Sequence, residues 1–360
     1  MRRSVARPQS SACFLVILDA FSRASKSTLG RRPNTDVRKA LSLSLGLAIS
    51  ALAIVWGFRD LDWGGIQQGL APLSWFATGL YVLSLLAIHF LRAARWSLMV
   101  RALDNEVPAY PLIGMSFLGF AGVFLVPLRL GEFARPLLLK AHSRIGFSAG
   151  LGTVAIERAV DGLVMTGFLV GAILLGAAPS AGMLATGLIA LAVFVSASLA
   201  FVAMARWPQA SEAFWGRMLR PFGDRVREAF LGLLRGFVEG LGSLPTHGSR
   251  LVYLGLTLSY WGLNGWGMWF LATEMGLQVN LQAMFVTMAI LVVGIMVPAG
   301  PGAVGTFHAA IIWGLSHLYG VDKAGAAAFA LTVHGLQVIH MVVVAIPFVG
   351  LIRRSGAGDD

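Results

Sequence analysis

Charge is scarce in this chain. Only 12% of its 360 residues are Asp, Glu, Lys or Arg, where an ordinary soluble domain carries about 25%. Cys13 is the only cysteine, which excludes an internal disulfide framework and a cysteine metal site. No polar stretch is long enough to build a soluble domain, so a soluble enzyme on a single anchor is excluded. Gly-x-Ser-x-Gly, Walker A and His-Glu-x-x-His are all missing. Gly300-Pro-Gly-Ala-Val-Gly305 is no dinucleotide loop, because it lies between apolar runs and follows no strand. His308, His334 and His340 have no Cys or carboxylate at ligand spacing. They read as satisfied polar residues inside a bundle, and no metal, cofactor or catalytic residue is expected.

Apolar residues make up 57% of the sequence. Runs of about 20 apolar residues read as spanning helices, and they lie at Ala40–Phe58, Pro72–Leu91, Ala149–Leu175, Met183–Ala205, Leu251–Thr273 and Ala324–Leu351. Two further apolar regions are interrupted. Pro111–Lys140 breaks at Val126-Pro-Leu-Arg-Leu-Gly131, and Leu281–Leu318 breaks at Val297-Pro-Ala-Gly-Pro-Gly-Ala-Val-Gly305. Proline removes a backbone donor and glycine loosens the helix, so both regions are expected to form broken helices or hairpins. The expected fold is all-α, a polytopic membrane bundle of about six full spans and two broken or re-entrant hairpins.

The net charge is +11, and 24 of the 28 basic residues are Arg. In an apolar chain this points to the positive-inside bias and anionic lipid rather than nucleic acid. The N-terminal tail, residues 1–39, has nine basic and two acidic residues and is expected to be a disordered cytoplasmic segment. Arg92, Arg95 and Arg101 return the chain to that side. The 206–250 loop, with seven Arg and four acids, stays cytoplasmic only if each broken region enters and leaves on one face. That arrangement puts 40–351 in the membrane and the 352–360 tail in the cytoplasm. The two breaks share a Val-Pro-x-x-x-Gly core and would enter from opposite faces, the pattern of an inverted-repeat transporter. Apolar positions Phe214 to Phe237 in the long loop recur every 3–4 residues, which predicts an amphipathic helix on the inner membrane surface.

The charges within the apolar runs are the candidate site. Each costs roughly 2.5–3.5 kcal/mol near the bilayer centre by insertion scales. Glu157, Arg158 and Asp161 share roughly one helical face, about 10–18 Å in from the cytoplasmic end at ~1.5 Å per residue. They either tie helices together or serve a polar substrate. Arg129, Glu132 and Arg135 follow the first break at three-residue spacing. Arg suits bidentate phosphate binding; Glu132 pairing with Arg158 would leave Arg129 or Arg135 for a phosphate. His89, Arg92, Arg95 and Trp96 close the second run and read as interfacial anchors.

Three segments in order carry a resemblance: Pro127–Pro136, Val154–Asp161 and Pro298–Phe307. Together, over about 40–351, they resemble the transmembrane region of lysylphosphatidylglycerol synthases, the flippase-like membrane proteins. The resemblance implies a bacterial or archaeal inner-membrane protein handling an anionic phospholipid or polyprenyl-phosphate lipid. It extends a role to Pro301, Gly302 and Gly305 beside the charged residues. No synthase activity is expected here, because the soluble aminoacyltransferase domain of the full-length synthases is expected to be missing. The chain departs from the family pattern at Ala303, usually Gly, and at His308, usually acidic; a histidine suits an anionic lipid better than a cationic one. The function expected is lipid binding and translocation. An intramembrane headgroup transferase, or a scaffold for cell-envelope enzymes, stands beside it, and an envelope-enzyme partner or a homo-oligomer remains open.

Overall fold

The computed structural model describes residues 47–57, 63–125, 131–174, 181–244, 246–296 and 300–350. The two terminal tails, Arg129, and the Pro127 and Pro298 positions of the breaks lie outside the described residues. Every element among the described residues is helical.

Helix α1 (Leu47–Gly57) and α2 (Trp63–Leu70) are short; α3 (Trp75–Leu103) is the first long helix. It starts where the Ser74 side chain accepts the Ala77 N–H at 3.0 Å, a side-chain N-cap. The sequence reading ended this span at Leu91, but the helix runs on to Leu103 and carries Arg92, Arg95 and Trp96 with it. Arg95 and Trp96 are 0% exposed. An interfacial anchor must reach headgroups, so that reading is overturned for both.

The first broken region forms a hairpin: α4 (Ala109–Leu125) packs against α5 (Ala134–His142). Gly131 permits its closeness, because a Cβ there would lie 2.0 Å from the Gly122 carbonyl oxygen. Then come two long helices, α6 (Phe147–Leu174) and α7 (Ala181–Arg206), packed on each other. Phe194 of α7 covers Gly162 of α6.

The 206–250 segment holds two helices, α8 (Pro208–Met218) and α9 (Asp224–Leu241), where one was expected. A turn at Gly223 (φ +84°) reverses the chain, and Trp215 meets Phe230 across the pair at 5.3 Å. α9 is also more than a surface helix. Leu231, Leu234 and Leu241 are buried, and Gly236 and Gly240 bring its backbone onto Ser148, Ala149 and Gly152 of α6. Small residues at such spacing let two helices approach backbone to backbone.

The long helix α10 (His247–Glu274) opens with a Thr246/Ser249 capping box and packs along α3. The second broken region is again a hairpin. α11 (Leu281–Met296) packs on α12 (Thr306–Ile312), which continues as a π-helical turn over Trp313–Leu318. Gly305 at the break has φ +96°, and a Cβ there would lie 2.3 Å from the Ser50 carbonyl oxygen. α13 (Lys323–Ala345) closes the bundle, capped by Asp322.

Among the described residues, three helical stretches are long and apolar enough to cross a membrane: Trp75–Leu103, Gly187–Arg206 and Lys323–Phe348. Six were expected. The Ala40–Phe58 run is described only from Leu47. α6 has the length but includes three charges. α10 has it too, with Asn264, three tryptophans and five glycines diluting its hydropathy. Both long polar-bearing helices border the site described next. The main apolar core, with Tyr81, Leu85, Met268, Met284, Phe307 and Phe329, joins α3, α10, α11, α12 and α13.

Candidate functional site

A helix of 3.6 residues per turn puts Glu157 and Asp161 of α6 on one face. That face meets α3 and α10, and the group it meets is Arg95. Arg95 forks onto Asp161, donating from Nη1 to Oδ1 and from Nη2 to Oδ2 at 3.2 Å. Nη2 also reaches Glu157 Oε1 at 3.2 Å, and Nη1 donates to Thr257 Oγ1 at 3.2 Å. The rings of Tyr253 and Tyr260 lie 5.2 and 4.8 Å from the guanidinium carbon. The Tyr260 hydroxyl donates to Asp161 at 2.7 Å, and the Trp261 indole donates to the same oxygen at 3.3 Å.

Glu157 has a second cation on its other oxygen. Arg135 of α5 contacts Oε2, with its guanidinium 4.9 Å from the Phe120 ring and 5.4 Å from Trp96. One carboxylate thus joins α3 to the first hairpin. Arg95, Arg135 and Glu157 are at most 3% exposed. Burying such charges is costly, and the structure tolerates it because each is ion-paired, Arg95 and Glu157 being hydrogen-bonded as well.

Beside this knot lies a cavity of about 470 Å³, within the size range of small-molecule sites. Both hairpins wall it, through Phe124 and Glu132 of the first and Leu291, Ile295 and Phe307 of the second. The long helices contribute Arg92, Arg158, Asp161 and Asn264. Most of the wall is apolar. Arg158 has a 37% exposed side chain, 3.9 Å from Asp161 and 4.0 Å from Glu132. Arg92 stands apart. Phe120 covers its guanidinium at 3.6 Å, a cation–π contact. Its Nε has no hydrogen-bond partner, and no carboxylate is in ion-pair contact with it among the described residues.

The residues singled out from sequence therefore divide. Glu132, Arg158 and Asp161 line the cavity; Arg135 and Glu157 sit behind its wall in the buried knot. The Glu132–Arg158 approach is seen at 4.0 Å. Arg129 lies outside the described residues. Pro301, Gly302 and Gly305 form the second break, beside the end of α4. There the Gly305 N–H donates to His308 Nδ1 (3.4 Å), His308 Nε2 lies 3.2 Å from His334 Nδ1, and His334 Nε2 donates to the Gly302 carbonyl (2.9 Å). His308 and His334 thus fasten the break to α13.

Sequence reasoning passed over Arg92 and Arg95. A signal was present: two buried carboxylates on α6 need buried cations, and His89, Arg92 and Trp96 recur at helical spacing across the assumed end of the span at Leu91.

The family model for the lysylphosphatidylglycerol synthase TM region matches residues 43–345. Among curated proteins, the chain is 26% identical over 337 residues to a protein of Haloferax volcanii named Glycosyltransferase AglD. The match covers 85% of this chain and 53% of that relative, so the chain spans about half the relative's length. No solved structure matches. Broken hairpins, charged helices and the family match over most of the chain agree, and the chain belongs to the lysylphosphatidylglycerol synthase TM region family, as a multi-pass helical membrane protein.

Proposed function

We propose that this protein binds an anionic membrane lipid by its phosphate and moves the headgroup between leaflets. The observation that carries the reading is Arg92: a cation on a largely apolar cavity wall with no carboxylate in contact among the described residues. A cation held so needs a counterion, and a lipid phosphate supplies one while its chains remain in the bilayer. Arg158 provides the second grip, exchanging a loose contact with Glu132 for the phosphate. The buried knot of Arg95, Arg135, Glu157 and Asp161 holds the wall in shape. The two hairpins, entering from opposite faces as an inverted repeat, open the cavity alternately. The membrane is the inner one, with both termini cytoplasmic by the positive-inside rule. The 206–250 helices rest on its cytoplasmic surface.

The glycosyltransferase name of the relative favours a second reading, in which this region presents a sugar-carrying lipid to an enzyme. Reconstitution in liposomes with labelled anionic lipids separates the two. Leaflet exchange, with the lipid chemically unchanged and lost in an Arg92→Gln/Arg158→Gln double variant, is the expected result. Exchange unaffected by that variant overturns the proposed binding site; binding without exchange leaves presentation as the function.

A further inference from the structure

The second break is held in shape by bonds that a proton alters. Gly302, Ala303 and Gly305 have φ of +71°, +53° and +96°, and backbone so bent persists only while its surroundings enforce it. Two of the enforcing bonds are indifferent to pH: the Gly300 N–H donates to Ser50 Oγ at 2.8 Å, and the Thr306 hydroxyl donates to the Ala303 carbonyl at 3.1 Å. The others run through two rings, His308 of α12 and His334 of α13, 6% and 5% exposed with centroids 4.7 Å apart.

Hydrogen-bond accounting fixes both tautomers. The Gly302 carbonyl only accepts, so His334 Nε2 carries a proton toward it, at 2.9 Å. The Gly305 N–H only donates, so His308 Nδ1 presents a lone pair, at 3.4 Å. In the neutral ring the His308 proton is then on Nε2, donated to His334 Nδ1 at 3.2 Å. Two ring protons thus commit all four ring nitrogens. A third proton has no place in this chain of bonds. On His308 Nδ1 it sets an N–H against the Gly305 N–H. On His334 Nδ1 it drives the bridging proton of His308 over to His308 Nδ1, with the same result. Either way the Gly305 N–H loses its acceptor, in the longest of the three bonds. The charge that arrives is costly in an apolar bundle unless the break opens.

Among the described residues, the other titratable groups of the packed elements are engaged elsewhere. α1, α2 and α11 have none. Tyr110 of α4 meets Phe348 at 5.2 Å. On α3, Tyr81 accepts from Gln337, His89 meets His340 of α13, Arg92 lies against Phe120, Arg95 is in the knot, and Arg101 is in the last turn. His317 stacks on Trp313 at 5.4 Å, and Lys323 opens α13.

We propose that His308 and His334 form a proton-binding site, and that uptake of one proton releases the second break, so that the second hairpin opens with the proton. The inference stands on the geometry of the break and not on the phosphate site at Arg92.

Hydrogen exchange of the purified full chain in detergent, from about pH 8 to about pH 5 and divided by the unstructured rate at each pH, tests it. Protection over Gly302–Gly305 should fall by up to tenfold per pH unit below about 6.5, where an unlatched imidazole takes its proton. Amides in the middle of α3 should keep theirs. His308→Asn retains a side-chain acceptor for the Gly305 N–H but no titrating group, and should flatten the profile. A His89→Gln/His340→Gln variant, changed at the other buried histidine pair, should keep the wild-type slope. The wild-type profile decides even without a variant: protection that is flat with pH, or a fall shared equally by α3, overturns the proposal. So does a slope that survives His308→Asn or vanishes in His89→Gln/His340→Gln. Lipid binding does not enter this readout, so the phosphate site stands or falls separately.

Discussion

Glu157→Gln isolates what the buried knot contributes. The substitution keeps shape and removes one negative charge between two guanidinium groups, Arg95 at 3.2 Å and Arg135 in contact on the other oxygen. All three residues are at most 3% exposed, so water cannot take over from the lost carboxylate. Removing one partner of a buried pair leaves an uncompensated charge and costs about 3–5 kcal/mol. Here Arg95 retains Asp161, so Arg135 bears the larger loss, and the cost belongs at the lower end, about 3 kcal/mol. Arg158→Gln is the internal control: its contacts are 3.9 and 4.0 Å long on a 37% exposed side chain, worth about 0–1 kcal/mol. Equilibrium denaturation of the detergent-solubilised protein compares the two. A Glu157→Gln loss no greater than that of Arg158→Gln refutes the knot as a structural element. An Arg135→Gln/Glu157→Gln double variant should then lose less than the sum of the single losses, because the two share one contact.

Arg92→Met should leave stability within about 1 kcal/mol or raise it, while weakening anionic-lipid binding by roughly ten- to a hundredfold, the worth of a charged hydrogen bond; parallel unfolding and binding titrations check it, and unchanged affinity contradicts the assignment. Gly305→Ala combines a positive φ of +96° with a 2.3 Å approach to the Ser50 carbonyl oxygen, and should cost over about 2 kcal/mol in the same denaturation assay. Gly240→Leu must push α9 off α6, since even a Cβ would lie 2.1 Å from the Ala149 carbonyl oxygen; hydrogen exchange at the start of α6 should rise, and unchanged protection would show that the seam is not closed. His334→Leu removes the link from α13 to the Gly302 carbonyl and should speed exchange over Gly302–Gly305 without altering the knot.

The all-helical class, the two broken hairpins and five of the long helix positions were legible because hydropathy is local: a run of apolar residues declares itself without its neighbours. The long loop was half legible. Its apolar spacing predicted an amphipathic helix, but the turn at Gly223 and the glycine seam onto α6 depend on what packs there. Glu157, Arg158 and Asp161 stood out because charge in an apolar run is visible by position. Arg92 and Arg95 did not, because an arginine near the end of an apolar run looks the same whether it reaches headgroups or turns inward. The missing knowledge was that α3 continues to Leu103, which carries Arg95 past the interface and into the bundle.

Sequence alone settled that this is a helical membrane protein with two interrupted segments and ionic groups in its apolar part, since length, hydropathy and proline act along the chain. Which cation meets which carboxylate was decided by the packing of α3 against α6 and α10, over sequence separations of 62 and 66 residues. That packing commits Arg95 to the buried acids, the packing of α5 on α6 commits Arg135, and Arg92 is left at the cavity, because only three-dimensional neighbours determine whether a buried charge is already neutralised.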